Sequence, residues 1–458
     1  MALIHEDNFD LQLCLSYLRQ KGELVTVYTP LDLKWQVAGC AKEFEGRKPV
    51  FFSAVQNSKF PVLIGLYWNR AILASFFGCS PQELPFVLAE AIRSWQRSPA
   101  EPIVLDKGPA NEIVERDPDL NQLPIPTHAL RDGGPYLSCC VVIAKDPDTG
   151  VRNASVHRLM VTGKKRLTML MDEGRHLRNY FERAEKRGRP LEVTINNGVD
   201  PTVYLAAMTP ASAAPLDKDE LGIASALRKS PLFLLAAQTV AVEGVANAQF
   251  ILEGEILPNI REPEGPFAEL TGYYGPPGDR WVVNIKALTR RHSPIFHSLL
   301  PGREIGVSLA VMGEAGMFNF IKEHVPDLTA VRLTDGGCGR YHAVLQLRKS
   351  REGTQTSAIL AAFVAFPSLQ MVTAVDDDVN IDDPVEVEWA LCTRLRAERG
   401  LLLIPNAIGH ELNPATVAGM GTKVGFDATV PFPRDSRFEK VQMQKVNLNE
   451  LDIEGISG

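Results

Sequence analysis

Eight residues in the middle of the chain, Glu262-Pro263-Glu264-Gly265-Pro266-Phe267-Ala268-Glu269, place three carboxylates among residues that break regular backbone structure. Proline fixes its own φ, and glycine permits backbone that other residues avoid. Residues five apart point to opposite faces of a straight strand, so a bend would let Glu264 and Glu269 converge on one pocket. Convergent carboxylates can serve acid–base chemistry. The alternative is a surface turn whose acids are simply solvated.

A second group of residues has the types that ligate a metal ion. Asn153 lies in an Asn-Ala-Ser-Val-His-Arg sequence, His176 follows a glycine-containing turn, and Glu220 ends an Asp-Lys-Asp-Glu sequence. Amide oxygen, imidazole nitrogen and carboxylate oxygen form a hard ligand set that suits Mn²⁺ or Mg²⁺ better than a thiolate zinc site does. Each residue has a plainer alternative. A lone histidine is usually hydrogen-bonded or exposed, and Glu220 can favour a helix N-terminus through the helix dipole.

A glycine-punctuated segment near the end of the chain, Gly419 to Thr429, contains one lysine, Lys423. Backbone N–H groups and the Lys423 ammonium could approach a phosphate there. The Walker A order is absent, so the segment does not predict a P-loop. A flexible loop without a ligand is the alternative interpretation.

The composition is that of an ordinary globular protein, with 458 residues, 45% hydrophobic and 22% charged. A net charge of −7 gives no basic footprint for nucleic acid or an anionic membrane, so we expect neither partner and favour small-molecule chemistry. The seven cysteines are scattered without a C-x-x-C pair. They suit reduced thiols, and with no apparent signal peptide we expect a cytoplasmic location.

The elements that must position these side chains divide into three parts. In residues 1–110, Asp7 or Asn8 can cap a helix, short apolar strands follow, and Ser80-Pro81-Gln82-Glu83 is a capping box that opens a helix to about Trp95. This pattern predicts an N-terminal α/β domain. A proline-rich, polar stretch from Ser98 to Thr127 is typical of a linker or a long loop.

Residues 111–305 are mostly strand-like with glycine-containing turns, which predicts a β-rich, barrel-like middle domain. Residues 306–458 return to alternating helices and strands, which predicts a second α/β domain. There the pattern places a helix from Ser357 to Phe366, a strand from Met371 to Val375, and a buried strand from Leu401 to Ile404.

In this order, the segments together resemble the UbiD family of prenylated-FMN-dependent decarboxylases. The resemblance covers nearly the whole chain and implies an N-terminal α/β domain, a split β-barrel that binds the flavin, and a C-terminal α/β domain that mediates oligomerisation. A homodimer or homohexamer is therefore expected. The matching segments are Leu18 to Val25, Gly133 to Tyr136, Asn153 to Arg158, Glu264 to Tyr273, Val375 to Val379, and Gly421 to Thr429.

The resemblance also implies site residues and cofactors. It assigns Arg158, Glu264 and Glu269 to catalysis, and it assigns Asn153, His176 and Glu220 to a Mn²⁺ or Mg²⁺ ion that bridges to the cofactor phosphate, with K⁺ as a further candidate ion. Nearby Asp217 and Asp219 are alternatives to Glu220. The residues that it implies for the prenylated FMN are Asn153, Ser155, Val156, His157, Arg158, Arg175, His176 and Lys423.

The chemistry of such a site follows from the reaction. When a carboxylate leaves as CO₂, the electrons left behind need a sink that no amino-acid side chain readily provides, so a cofactor must supply it. The remaining carbon then needs a proton. We expect Arg158 to pair mainly with Glu264, which orients the guanidinium and leaves Glu269 free to donate that proton.

The substrate implied by the resemblance is an aromatic, heteroaromatic or acrylic acid, decarboxylated reversibly. We expect 2,5-furandicarboxylate, giving 2-furoate and CO₂, with pyrrole-2-carboxylate or hydroxybenzoate as alternatives. His297 and Arg303 are the candidates for binding a second carboxylate. A flavin prenyltransferase is the expected cofactor supplier. Alternatives of another class are a non-catalytic subunit of a decarboxylase complex and an oxidoreductase that uses ordinary FMN.

Overall fold

The computed structural model describes residues 2–6, 9–444 and 446–447. Helix α1 is capped by Asp10, whose side chain accepts a hydrogen bond from the Leu13 N–H at 2.8 Å; the predicted caps Asp7 and Asn8 lie outside the described residues. The predicted capping box forms, because Ser80 and Glu83 exchange hydrogen bonds. The N-terminal elements are α1 (Leu11–Gln20), β1 (Val25–Val27), α2 (Gln36–Lys42), β2 (Val50–Phe52), β3 (Val62–Ile64), α3 (Arg70–Phe76) and α4 (Leu84–Arg97).

The middle of the chain is rich in strands, as its alternating apolar residues predict. Its strands are β4 (Ile103–Leu105), β5 (Ile113–Glu115), β6 (Tyr136–Leu137), β7 (Cys140–Lys145), β8 (Arg152–Val156), β9 (Leu159–Gly163), β10 (Arg166–Met169), β11 (Leu191–Asn197), β12 (Phe233–Leu235), β13 (Gly244–Val245), β14 (Phe250–Glu264), β15 (Phe267–Ala268), β16 (Tyr274–Gly275), β17 (Gly278–Arg290) and β18 (Phe296–His297). Its helices are α5 (His176–Glu185), α6 (Pro201–Ala207) and α7 (Leu221–Arg228).

Nine of these strands form one antiparallel sheet in the order β6-β9-β10-β17-β14-β11-β7-β8, with β5 also paired to β17. The path begins at β6 and ends at β8, which suits a split barrel. Side chains such as Val142, Ile195 and Val283 fill its apolar interior. Strand β18 does not join this sheet: it pairs in parallel with β3 and completes the N-terminal sheet, β1-β2-β3-β18. The domain boundaries at 110 and 305 stay predictions.

The C-terminal part is a mixed five-stranded sheet with helices packed on it. Its order is β19-β20-β21-β23-β22. The elements are α8 (Arg303–His324), β19 (Leu328–Leu333), β20 (His342–Leu347), α9 (Thr354–Ala365), β21 (Met371–Asp376), α10 (Pro384–Arg394), α11 (Ala397–Gly400), β22 (Leu401–Ile408) and β23 (Met420–Ala428). The predicted α9 and β21 are confirmed, and so is the mixed α/β multidomain fold.

Helix α8 is long and apolar enough to cross a membrane by length and composition alone. However, 78% of its most apolar 18-residue window is buried inside the protein. This burial is typical of a core helix that connects the barrel to the C-terminal sheet.

Two C-terminal predictions are wrong. Strand β22 is the edge of its sheet, and Leu401 and Leu403 are 42% and 57% exposed, so the strand is not buried. The glycine-punctuated segment is mostly strand β23, which lies between β21 and β22. Its glycines do not form a loop around a ligand, because the backbone N–H groups are engaged with the neighbouring strands.

Candidate active site

A central cavity lies where the barrel, helix α6 and the C-terminal part meet. It encloses about 1230 Å³, including its open mouth. Part of this volume is open solvent, so the cavity is a cleft that is accessible from outside. Nine of the predicted site residues line it: Asn153, Ser155, Val156, His157, Arg158, Arg175, His176, Glu220 and Glu269.

Arg158 brings the two predicted carboxylates together. Its Nε donates to Glu264 Oε1 at 3.1 Å and its Nη2 to Glu264 Oε2 at 3.2 Å. Its Nη1 forms an ion pair with Oε1 of Glu269, without a well-oriented hydrogen bond. The expectation that Glu269 is left free is therefore corrected, because one guanidinium touches both acids. Both carboxylates are nearly buried, with Glu264 1% and Glu269 8% exposed.

The bend between Glu264 and Glu269 is set by local backbone. Strand β14 ends at Glu264, and Gly265 follows with a φ of +88°, a conformation that favours glycine. A neighbouring turn packs against it so closely that a Cβ on Gly133 would lie 2.3 Å from the Gly265 carbonyl oxygen. Asp132 closes the bend by accepting the Ala268 N–H at 2.8 Å. The bend therefore has a tertiary support as well as a local cause.

Glu264 is held on its other side by a phenol. The Tyr136 hydroxyl donates to Glu264 Oε1 at 2.9 Å. Burial and the Glu264 carboxylate both raise the pKa of Tyr136, so it stays a neutral donor. Arg280 approaches the other oxygen, with its Nε 3.8 Å from Glu264 Oε2. Glu264 is thus fixed in place, whereas Glu269 faces the cavity and pairs with Arg158.

The three predicted metal ligands converge at a different part of the cavity wall. Glu220 Oε1 lies 2.8 Å from Asn153 Nδ2 and 3.0 Å from His176 Nδ1. The other Glu220 oxygen accepts the Ala154 N–H at 3.2 Å. Asn153 is on the edge strand β8, His176 begins α5, and Glu220 directly precedes α7. Three separate elements therefore supply one cluster.

This cluster fits a divalent ion on one condition. In the described residues, no three His, Cys, Asp or Glu side chains converge, so the amide oxygen of Asn153 would have to be the third protein ligand. Its Oδ1 now accepts from the Ser155 hydroxyl at 3.1 Å, and its Nδ2 faces Glu220. Flipping the amide would turn Oδ1 toward the ion, and amide orientation is assigned from such contacts. The donor set is the hard, mixed type that Mn²⁺ or Mg²⁺ accepts.

The remaining predicted cofactor residues of the barrel also line the cavity. Ser155 Oγ lies 2.9 Å from His157 Nε2, and His157 Nδ1 lies 3.2 Å from the Leu170 carbonyl oxygen. Burial lowers the pKa of His157 to about 4, so its ring is neutral and donates from Nδ1. Val156 and Arg175 complete this side of the wall.

Lys423 does not line the cavity, and its predicted phosphate contact is corrected. It lies on β23, and its ammonium donates to the carbonyl oxygens of Pro367 and Leu369, both at 2.7 Å. Both carbonyls belong to the turn that follows the end of α9. Burial lowers the pKa of Lys423 to about 8. Its donors are engaged in holding the C-terminal fold.

His297 and Arg303 do not line the cavity either, which corrects their predicted contact with a second carboxylate. His297 is fully buried, and its Nδ1 lies 3.4 Å from Cys139 Sγ. Arg303 lines a separate cavity and pairs with Asp335 at 2.7 Å. The reason is topological: β18 carries His297 into the N-terminal sheet, and α8 then turns Arg303 away.

Sequence reasoning missed Asp132, Tyr136 as a Glu264 partner, and Arg340. Asp132 and Tyr136 flank a turn that the sequence did single out, so their proximity to the bend was the available signal. Arg340 lies in a turn between β19 and β20, far along the chain, and no local pattern marks it. Only the tertiary contact places it in the cavity wall.

Three family models together match most of the chain. Residues 15–92, 103–304 and 307–428 match the N-terminal, Rift-related and C-terminal domains of 3-octaprenyl-4-hydroxybenzoate carboxy-lyase. The Rift-related match contains every residue placed above in the Arg–Glu and metal-ligand clusters.

Curated relatives share this length and include decarboxylases. A protein from the cooM 5′ region of Rhodospirillum rubrum is 47% identical, over 97% of this chain and 96% of its own. The anhydromevalonate phosphate decarboxylase of Methanothermobacter thermautotrophicus is 36% identical, over 92% and 97%. The gallate decarboxylase of Lactiplantibacillus plantarum is 30% identical, over 84% of each chain.

Solved structures agree with the fold. The UbiD-class enzyme HmfF from Pelotomaculum thermopropionicum, in complex with FMN, superposes with a TM-score of 0.91 at 38% identity, covering 96% of this chain and all of that one. An evolved dimeric form of HmfF, in complex with prenylated FMN, superposes with a TM-score of 0.87. With the three domain matches, these relatives establish that the chain belongs to the UbiD family of decarboxylases.

Proposed function

We propose that this protein uses prenylated FMN to decarboxylate an aromatic, heteroaromatic or α,β-unsaturated acid, reversibly and without net oxidation. The observation that carries the proposal is the Arg158–Glu264–Glu269 network, which is nearly buried beside the central cavity. HmfF, which has the same fold, is known in complex with FMN and, in an evolved form, with prenylated FMN.

The cavity residues fit this cofactor. Asn153, His176 and Glu220 would hold a Mn²⁺ or Mg²⁺ ion beside the cofactor phosphate, because without a cation the Glu220 carboxylate would repel that phosphate. K⁺ is a further candidate ion near this cluster. When bound, prenylated FMN would supply the electron sink that decarboxylation requires.

Arg158 orients the reacting acid. Its guanidinium is clamped by Glu264, and it lies over the Phe267 ring with Cζ 5.0 Å from the ring centroid. A substrate carboxylate placed beside it would meet a cation whose direction is already fixed, which lowers the cost of orientation. When that carboxylate leaves as neutral CO₂, the bonding electron pair stays on the substrate carbon and the arginine loses its anionic partner.

Glu269 would then deliver the proton. It faces the cavity and its Oε1 pairs with Nη1 of Arg158, so a small movement of its side chain would bring it to the reacting carbon. Leu270 and Phe267 beside it limit water near the proton donor. In the carboxylation direction Glu269 would take the proton back, which makes the same residue the general base.

The proposed substrate is an aromatic, heteroaromatic or unsaturated acid. We retain 2,5-furandicarboxylate as the first candidate, with pyrrole-2-carboxylate and hydroxybenzoate behind it. One curated relative is named for gallate, which is a hydroxybenzoate, and another is named for anhydromevalonate phosphate, which adds the class of unsaturated acids that bear a phosphate. Furandicarboxylate and the phosphorylated acid both have a second anionic group.

The intact network favours an enzyme over a non-catalytic subunit. A subunit relieved of catalysis has no reason to keep three ionisable groups in mutual contact and nearly buried, because such an arrangement carries a desolvation penalty. An oxidoreductase that uses ordinary FMN would not need a carboxyl group poised beside an arginine.

A reconstituted assay tests the proposal. The full chain is co-produced with a flavin prenyltransferase, its expected supplier, and given a panel of furan, pyrrole, hydroxybenzoic, acrylic and phosphorylated unsaturated acids. We expect CO₂ release from at least one acid, with deuterium in the product when the solvent is D₂O. Cofactor-loaded protein that releases no CO₂ from any acid, yet oxidises NADPH, would indicate the oxidoreductase instead.

The same proposal includes a cytoplasmic enzyme that works as a homodimer or homohexamer. The apolar side chains left exposed on β22 and α9, such as Leu403, Ile408 and Val364, support self-association through the C-terminal part. Sedimentation of the purified protein measures the number of copies.

A further inference from the structure

Arg340 is a buried cation whose Nε is unpaired among the described residues. It lines the central cavity and is 7% exposed, and its Nε has no hydrogen-bond partner. Across the described residues its guanidinium forms no ion pair with a carboxylate within 4.0 Å. A buried charge of this kind is unfavourable unless something in the cavity compensates it.

A second arginine faces it from the barrel. Arg175 lies at the N-cap position of α5 and lines the same cavity. Burial first, and then the charge of Arg175, lower the pKa of Arg340 to about 10. Arg175 belongs to the barrel part of the chain and Arg340 to the C-terminal part, and both line the same cavity.

Nearby groups do not balance this pair. Among the described residues, Asp172 is the carboxyl group that influences Arg340. Burial would raise the pKa of Asp172, but the charges of Arg175 and Arg340 hold that pKa below its usual value, so Asp172 is ionised. Burial lowers the pKa of His410 to about 3, so the ring is neutral. Two cations against one carboxylate leave one positive charge at the cavity wall.

We propose that Arg175 and Arg340 together bind an oxyanion in the central cavity and thereby tie the C-terminal part to the barrel. Two planar guanidinium groups suit the several oxygens of a phosphate or carboxylate. The inference rests on the proposed function only for the source of the anion. That source is either the phosphate of the flavin or the second anionic group of the substrate.

Binding to the full-length, flavin-free protein distinguishes the first source without any turnover. FMN and riboflavin differ by the phosphate alone, and the dissociation constant of each is measured by quenching of flavin fluorescence. If the anion is the flavin phosphate, Arg340→Gln weakens FMN by about tenfold or more, because a charged hydrogen bond is lost, and leaves riboflavin unchanged.

Binding to FMN-loaded protein tests the second source. Here calorimetry compares the affinity for 2,5-furandicarboxylate with that for 2-furoate. It also measures the binding of inorganic phosphate against a buffer blank. If the anion belongs to the substrate, Arg340→Gln leaves the FMN affinity intact but removes the preference for the diacid or the binding of inorganic phosphate. Arg340→Lys, which keeps the charge, restores part of either effect.

Controls separate these outcomes from a folding defect. Arg303→Gln removes an arginine that lines a different cavity and should leave all these affinities unchanged. Arg175→Gln should reproduce Arg340→Gln, and the double variant should lose less than the sum, because the two act on one anion. If Arg340→Gln weakens FMN and riboflavin equally, or weakens none of the probes, the proposal is overturned, whether or not the protein releases CO₂.

Discussion

The Arg158 guanidinium meets both oxygens of Glu264, at 3.1 and 3.2 Å, in a two-point hydrogen bond. Such a pair fixes the plane of the guanidinium as well as its position. The remaining Nη1 is consequently directed at Glu269 and the cavity. Glu264 therefore sets the direction of Arg158, and Glu269 is the acid that can move.

Glu269→Gln should lower kcat by about 10² to 10⁴-fold, because an amide cannot donate the proton that follows CO₂ loss. Its size and its contact with Arg158 are preserved, so the affinity for the flavin should stay within twofold. Stopped-flow kinetics and flavin titration measure the two. Glu262→Gln is the matched control, since Glu262 pairs with Arg166 outside the cavity. Full activity in Glu269→Gln would remove the assignment.

Tyr136→Phe should weaken the orientation of the Glu264 side chain while the site still binds its ligands. The change deletes the hydroxyl that donates to Glu264 Oε1 at 2.9 Å, and a hydrogen bond to a charged group contributes about 1.5–3 kcal/mol. We expect kcat to fall about tenfold while KM changes little, because Arg158 keeps its two bonds to Glu264. A pure stability effect, with kcat unchanged and only the melting temperature lowered, would contradict a role in orienting the network.

Glu220→Gln should weaken divalent-ion binding. Glu220 is the carboxylate common to both Asn153 and His176, and replacing it removes the charge that the ion requires. Mn²⁺ titration of the FMN-loaded protein, followed by electron paramagnetic resonance, should show at least a tenfold higher dissociation constant. Glu182→Gln, on the exposed face of α5, is the control. Equal Mn²⁺ affinity in both variants would exclude this cluster as the metal site.

Acid should destabilise the protein through its buried histidines. Burial lowers the pKa of His128 from 6.5 to about 4 and that of His297 to about 3, so both are neutral when folded. Between these pKa values and 6.5, the two histidines bind more protons in the unfolded chain than in the folded protein. Their contribution to the free energy of unfolding is therefore complete above about pH 6.5 and is lost as the pH falls below it. Each histidine should contribute a slope of about 1.4 kcal/mol per pH unit.

Urea unfolding at several pH values between 7.5 and 4.5 measures that slope. His128→Gln should reduce the slope by the contribution of one histidine. His292→Gln, at an exposed position, should leave the slope unchanged. A slope of the same size in all three proteins would show that other groups control the acid sensitivity.

Local signals decided much of the site. Gly265 and the prolines around it bend the chain whatever packs against them, which is why the sequence could bring Glu264 and Glu269 to one place. The capping box at Ser80 and the helix and strand around Phe366 were likewise predictable, because the residues that determine them are neighbours in sequence.

Other features depended on long-range packing. Leu401 and Leu403 have the pattern of a buried strand, but periodicity says only which residues share a face and not whether another layer covers it. Lys423 follows glycines as a phosphate ligand would, but carbonyls about fifty residues earlier in the chain take its donors. Arg340 shows the converse case, since nothing beside it in sequence marks it.

The sequence by itself determined the three-part fold, the family and the chemical types at the site, because spacing, turn residues and motifs are properties of the chain. The tertiary structure decided which charges meet. It clamped Arg158 to Glu264, turned Arg303 toward Asp335, and brought Arg340 to the cavity. Electrostatic interactions depend on distance and burial in three dimensions, and these are set only when distant segments pack.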